Sequence, residues 1–166
     1  FGSRVDRMSS KALAAETKGE CKDYDDDAKG EAKDGDWIDV RGVDFRPNKC
    51  RLDLPLRVEL EFDAVRPIYD GSWRAFFIVD SVDTRHVVPL AETSKRDYVG
   101  DDCFVDIAVD AVDVADIPPS VLANCGLLVL ALETPDHGEV VRVQMVVEVS
   151  SDADGDLIRT IYSPLG

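Results

Sequence analysis

Residues 125–149 read CGLLVLAL, ETPDHG and EVVRVQMVVEV in turn, from Cys125 to Val149. Two apolar segments flank a short run of Thr, Pro, Asp and Gly, which is how a sequence spells a β-hairpin. Leu127 to Leu132 is apolar at every position, so both faces of that strand are expected to be covered. Its partner alternates. Val141, Val143, Met145, Val147 and Val149 fall on one side of the pleat, because side chains alternate with a period of two. Val140, Arg142, Gln144, Val146 and Glu148 fall on the other side. A face that mixes valine with arginine and glutamate suits a docking surface better than simple solvation.

The same alternation extends outward from the hairpin. Ile38 to Phe45 alternates apolar and charged residues, and Arg46-Pro47-Asn48 makes a turn. Leu56, Val58, Leu60 and Phe62 alternate with Arg57, Glu59 and Glu61, the pattern of a half-buried strand. Val65 to Ser72, with Pro67, Asp70 and Gly71, reads as a connection. Trp73 to Asp80 (WRAFFIVD) reads as another strand. The polar stretch after it shows no clear period, and Pro89 interrupts the apolar run at Val87 and Val88. Phe104 to Val109 is strand-like. The IPPS of residues 117–120 excludes a sheet interior, which leaves a turn of 3₁₀ helix. After the hairpin, Ser150 to Gly155 is a loop, and Leu157 to Tyr162 is a short strand or helical turn. Many short strands and little helix predict an all-β chain, an immunoglobulin-like β-sandwich with short helical turns. The Cys–Trp–Cys pattern of antibody domains is missing, and Trp73 is the candidate core tryptophan. No internal repeat is visible.

With 166 residues and 45% apolar side chains, the chain is long enough for one domain with a real core. Phe1 to Arg7 precedes Met8 and reads as a cloning remnant. Residues 8–36 read as a flexible acidic extension, with a fraying helix over Ser10 to Glu20 and disorder from Lys22 to Asp36. The folded domain is expected over residues 37–166. The formal net charge is −15 and the isoelectric point about 4.4. Direct nucleic-acid binding needs a basic footprint and is excluded. An acidic chain steers basic partners toward itself, unless its charge serves solubility alone.

Cys21, Cys50, Cys103 and Cys125 lie far apart with no CxxC pair, which supports neither a zinc site nor a disulfide scaffold. Cys103 and Cys125 sit in strand-like segments and read as small buried hydrophobes. No apolar run is long enough to span a membrane, and no signal-peptide pattern appears. An intracellular, reducing compartment is the expectation. His86 and His137 are the only histidines. No GxSxG elbow, Walker loop, dinucleotide fingerprint or zinc-ligand cluster occurs. The Asp-rich stretches lack calcium-loop spacing, so Asp23 and Asp25 to Asp27 read as a solvated acidic run. Neither enzymatic activity nor a cofactor is expected.

Five segments carry a resemblance: GVDFRPNKCRLDLPLRVELEF (residues 42–62), DGSWRAFFIVDS (70–81), IPPSVLANCGLLVLAL (117–132), GEVVRVQMVVEV (138–149) and LIRTIYSPLG (157–166). In that order they resemble the anti-silencing-function histone chaperones, whose domain is an immunoglobulin-like sandwich. The resemblance runs from about Ile38 to Val149 and on toward Tyr162. It implies the dimer of histones three and four as partner, handed on in nucleosome assembly and disassembly. It also implies a nuclear location with shuttling to the cytoplasm, and a monomer when free. The last segment resembles a helical turn near the family's C-terminal end.

In that family a concave sheet face grips a helix of histone three, and the tail of histone four adds a strand. By position, the central valine of the face falls on Leu127, with Cys125 and Val129 two residues to either side. The arginine of the neighbouring strand falls on Arg142, and the apolar residue closing the tryptophan strand falls on Ile78. Val146 stands where the family has a tyrosine. A second site, used by downstream histone chaperones, keeps only Asp70 of its acidic cluster, with Tyr69 and Ser72 in place of acids. From pattern alone, Leu127 and Val129 also fit an ordinary core. The chain then reads as a generic β-sandwich interaction or lipid-carrier module with no histone role. That reading predicts a buried ligand cavity, whereas the chaperone reading predicts an exposed Leu127/Val129 stripe.

Overall fold

In the computed structural model, residues 35–166 are described. The remnant at residues 1–7, the helix over Ser10–Glu20 and nearly all of the acidic extension lie outside them. The elements in order are β1 (Ile38–Arg46), β2 (Cys50–Arg51), β3 (Leu56–Asp80), β4 (Arg85–Glu92), β5 (Arg96–Val109), α1 (Pro119–Leu122), β6 (Cys125–Thr134), β7 (Gly138–Ser151) and β8 (Leu157–Ile161). All of the strand pairings are antiparallel. The first half of β3 pairs with β1 and β5, and the second half pairs with β4 and β6. From β6 the sheet continues through β7 and β8 to β2. A curled antiparallel sheet results, with two limbs joined by the 25-residue β3.

The period-two pattern sorts the side chains as expected. Leu56, Val58, Leu60 and Phe62 are buried, and so are Leu128, Leu130 and Leu132 of β6. Val143, Met145, Val147 and Val149 of β7 join them in one cluster with Trp73, Phe77 and Val79. Where β3 passes between the limbs, Phe62 meets Trp73 edge-on at 5.6 Å and Tyr98 at 5.3 Å between ring centroids. Such tilted geometries suit the aromatic quadrupoles. Trp73 is therefore a core tryptophan.

Several segments depart from the sequence reading. Val65–Ser72 is not a connection but the middle of β3. Pro67 is tolerated because β1 reaches only to Ala64, while the β5 ladder skips from Ala64–Gly100 to Ile68–Tyr98. No ladder hydrogen bond is asked of the proline. Asp70, at a φ of 50°, turns the strand from one limb toward the other. Pro89 likewise does not prevent β4, an edge strand with a register shift between Ala75 and Phe76 opposite it. β5 starts at Arg96 rather than Phe104, its first half masked by polar residues. IPPS gives a single α-helical turn rather than 3₁₀. Of the two readings of Leu157–Tyr162 the strand holds, over Leu157–Ile161, and not the helical turn that the resemblance implies.

β8 is fixed by a buried cation. Arg159 is 1% exposed, and its guanidinium donates to the carbonyls of Leu52, Leu54 and Pro55 at 2.8 Å each and of Pro47 at 3.4 Å. Burial lowers its pKa, because the charged form has given up water. The carbonyls replace most of that hydration and tie β8 to the Pro47–Pro55 segment.

Candidate docking face

Outward side chains of the second limb form rows across its strands. Ile78 on β3 stands between Val87 on β4 and Leu127 on β6, and Leu127 stands opposite Val146 on β7. The next row runs Pro89, Phe76, Val129, Gln144. Beyond it lie Arg74, Ala131 and Arg142. β6 approaches β3 closely enough for these rows because Gly126 has no side chain: a Cβ there would meet the Ile78 carbonyl and the Phe77 ring at 2.7 Å. Only glycine fits such an approach.

Burial divides the rows. Val87 is 54% and Val146 47% exposed at the two ends of the first, with Leu127 half-buried and Ile78 6% exposed between them. Val129 is 0% exposed, so the expected Leu127/Val129 stripe is open only at Leu127. The reason is crowding by cross-strand neighbours: Val129 sits between the larger Phe76 and Gln144. Ile78, Val129 and Ala131 are buried yet stand apart from the main core cluster, which marks them as a thin apolar layer on the outer face. Cys125, expected to be buried, is exposed because the phase of β6 puts it on the same side as Leu127; Cys103, opposite Phe62, is only half-buried.

Charges frame this layer. Arg142 donates to both oxygens of Glu139 at 2.7 and 2.8 Å and lies 5.5 Å over the Phe76 ring. That hydrogen bond holds the Glu139 carboxyl below its usual range and raises Arg142. Arg74 bonds to Glu133 at 2.6 Å, and Arg85 to Asp80 at 2.8 Å. A shallow groove of about 470 Å³ opens beside them, lined by Arg74, Phe76, Val87, Pro89, Glu92 and Glu133.

No protein-family model matches the chain, and comparison with curated proteins finds no match.

Six expected site residues therefore share one face: Ile78, Cys125, Leu127, Val129, Arg142 and Val146. Asp70 does not join them. It lies at the bend of β3, exposed, with its amide donating to the Asp97 carboxylate at 2.8 Å. Sequence reasoning missed Phe76, Val87 and Tyr162. Phe76 was legible from its phase with Ile78, whereas Val87 was hidden by Pro89. Tyr162 follows β8 and shows its place only through its bonds: its amide donates to the Val146 carbonyl at 2.9 Å. Among the described residues no group of three or more His, Cys, Asp and Glu side chains is placed to hold a metal ion, and no helix is long and apolar enough to cross a membrane. The face offers apolar area and charged hydrogen-bond donors, with the Cys125 thiol exposed beside Leu127.

Proposed function

We propose that this chain is a histone chaperone of the anti-silencing-function type, with an immunoglobulin-like β-sandwich domain over residues 37–166. It binds the dimer of histones three and four in the nucleus and hands it on in nucleosome assembly and disassembly, without catalysis. The observation that carries this reading is the apolar row Val87–Ile78–Leu127–Val146, open at both ends, with Arg142 two rows away over the Phe76 ring. Covering such a row with a partner helix gains about 25 cal/mol per Å² of apolar area removed from water. Arg142 can transfer its bidentate bond from Glu139 to a partner carboxylate or carbonyl at little net cost. A net charge of −15 attracts a basic histone dimer and orients its approach. Asp70, beside Asp97, is the proposed contact for downstream chaperones.

A lipid carrier needs a cavity of several hundred Å³. The space bounded by Leu52, Phe77, Leu128 and Val147 amounts to about 10 Å³, barely a water. That speaks against the carrier reading.

Gel filtration with a reconstituted dimer of histones three and four tests the proposal. Wild type is expected to give a one-to-one complex, and Leu127→Arg none, with an unchanged thermal midpoint. Binding by both proteins would move the site elsewhere, and binding by neither would refute the function.

A further inference from the structure

The second limb carries one more pair of side chains that the expected site residues do not include. Glu148 on β7 faces outward between the inward Val147 and Val149, opposite Thr160 of β8. Tyr162 follows β8 directly, and the residue is 49% exposed. Its hydroxyl donates to the Glu148 carboxylate at 2.7 Å, while its amide holds the Val146 carbonyl. The ring therefore extends the apolar row to a fifth strand: Val87, Ile78, Leu127, Val146, Tyr162.

The electrostatics of this corner differ from those of the three arginine-paired acids on the face. Asp80, Glu133 and Glu139 are each matched by an arginine. Glu148 is bonded to a neutral phenol, which fixes one oxygen and cancels none of the charge. Among the described residues it has no lysine or arginine partner. The consequence is visible on the phenol, whose pKa is raised first by its hydrogen bond to that carboxylate. A carboxylate already oriented by a neighbour loses less freedom when it pairs, and an exposed tyrosine offers large area on few rotatable bonds.

We infer that Tyr162 and Glu148 form a specificity-determining anchor at the end of the docking face. The ring receives an apolar side chain of the partner, and Glu148 receives a lysine or arginine beside it. Residues three or four apart on a helix present such a pair on one side. The inference rests on the docking-face reading above.

Titration calorimetry of the full chain with a reconstituted dimer of histones three and four tests it, with thermal melts to confirm folding. Tyr162→Ala is expected to weaken binding about tenfold, as the loss of an aromatic contact buried by the partner does. Glu148→Gln is expected to weaken it about three- to tenfold and to flatten the salt dependence, since a charge pair is lost. Tyr162→Phe keeps the ring and is expected to lose only about two- to threefold. If Tyr162→Ala and Glu148→Gln both bind as wild type while Leu127→Arg does not bind, the anchor is wrong and the face stands. If Leu127→Arg also binds as wild type, the face itself is wrong. If wild type does not bind, the chaperone reading falls and the anchor with it.

Discussion

The two limbs of the sheet share one strand yet present opposite outer faces. Glu59, Glu61 and Asp63 of β3 point outward from the first limb, whereas Phe76 and Ile78 point outward from the second. The inward residues of both halves are alike, aliphatic and aromatic, and belong to one core. On the first limb, Arg57 bonds to Asp106 and Arg41 to Asp63 across strands, while Arg46 bonds to Asp44 two residues away. These exposed pairs are complete without a partner, because water and each other satisfy them. On the second limb, Val87, Val146 and Tyr162 leave apolar area exposed around a thin buried layer. The first face exposes Phe104, 41% exposed opposite Glu61, but the contiguous apolar row lies on the second face, which has more to gain from being covered.

The largest expected effect tests this contrast directly. Leu127→Arg and Glu61→Arg place the same side chain on the two outer faces. Both are expected to fold, because Leu127 is only half-buried and Glu61 is exposed. Leu127→Arg should abolish histone binding, and Glu61→Arg should slow association modestly through lost steering. Equal losses would mean that charge rather than the apolar row governs recognition, which would erase the distinction between the limbs.

A smaller effect concerns stability. Val129 points outward yet is fully buried, which has no counterpart among the outward charged residues of the first limb. Val129→Ala should cost about 2 kcal/mol, from two lost methyl groups and an unfilled gap. Glu61→Ala on the first limb should leave the chemical-denaturation midpoint unchanged. A loss at Val129 well under half the expected value would mean that the outer layer relaxes freely, and the second limb would then resemble the first.

Much of this arrangement was legible in the sequence, because alternation fixes which residues share a face once the hairpin is recognised. Arg142 and Val146 follow from counting by twos along β7, whereas Leu127, in a run apolar at every position, was placed on the face only by the family resemblance. Four things escaped it. Pro67 and Pro89 argued against strands, since sequence does not reveal that Pro67 falls in a gap of both ladders or that Pro89 lies on an edge strand beside a register shift. Val129 could not be told from Leu127 by phase, because its burial depends on the size of cross-strand neighbours. Tyr162 could not be placed, because it meets Glu148 only after β8 has paired with β7. Arg159 reads as a solvated charge until the chain folds and four carbonyls surround it.

The smallest expected effect is electrostatic and belongs to the first limb. Asp63 and Asp106 are held below the ordinary aspartate value of 3.8, Asp63 by the Asp102 amide and then Arg41, Asp106 by the hydrogen bond from Arg57. A carboxyl whose folded pKa is depressed adds stability above its unfolded value and loses it as pH falls through the folded one. The window therefore lies below about pH 4. Asp106 is exposed and Asp63 half-buried beside the exposed Arg41, so the contribution is small, and at about 0.5 M salt the screening length shrinks to roughly 4 Å. Asp80 and Glu139 at the rim of the second limb add changes of the same sign. Asp106→Asn should make the acid-side fall in thermal midpoint shallower at low salt, and added salt should remove the difference. Leu127→Ala should not alter that slope, because an apolar side chain binds no protons. If Asp106→Asn leaves the slope unchanged, the ion pairs of the first limb are not coupled to folding. The two faces would then differ in apolar area alone, and the apolar row would be the sole physical distinction between them.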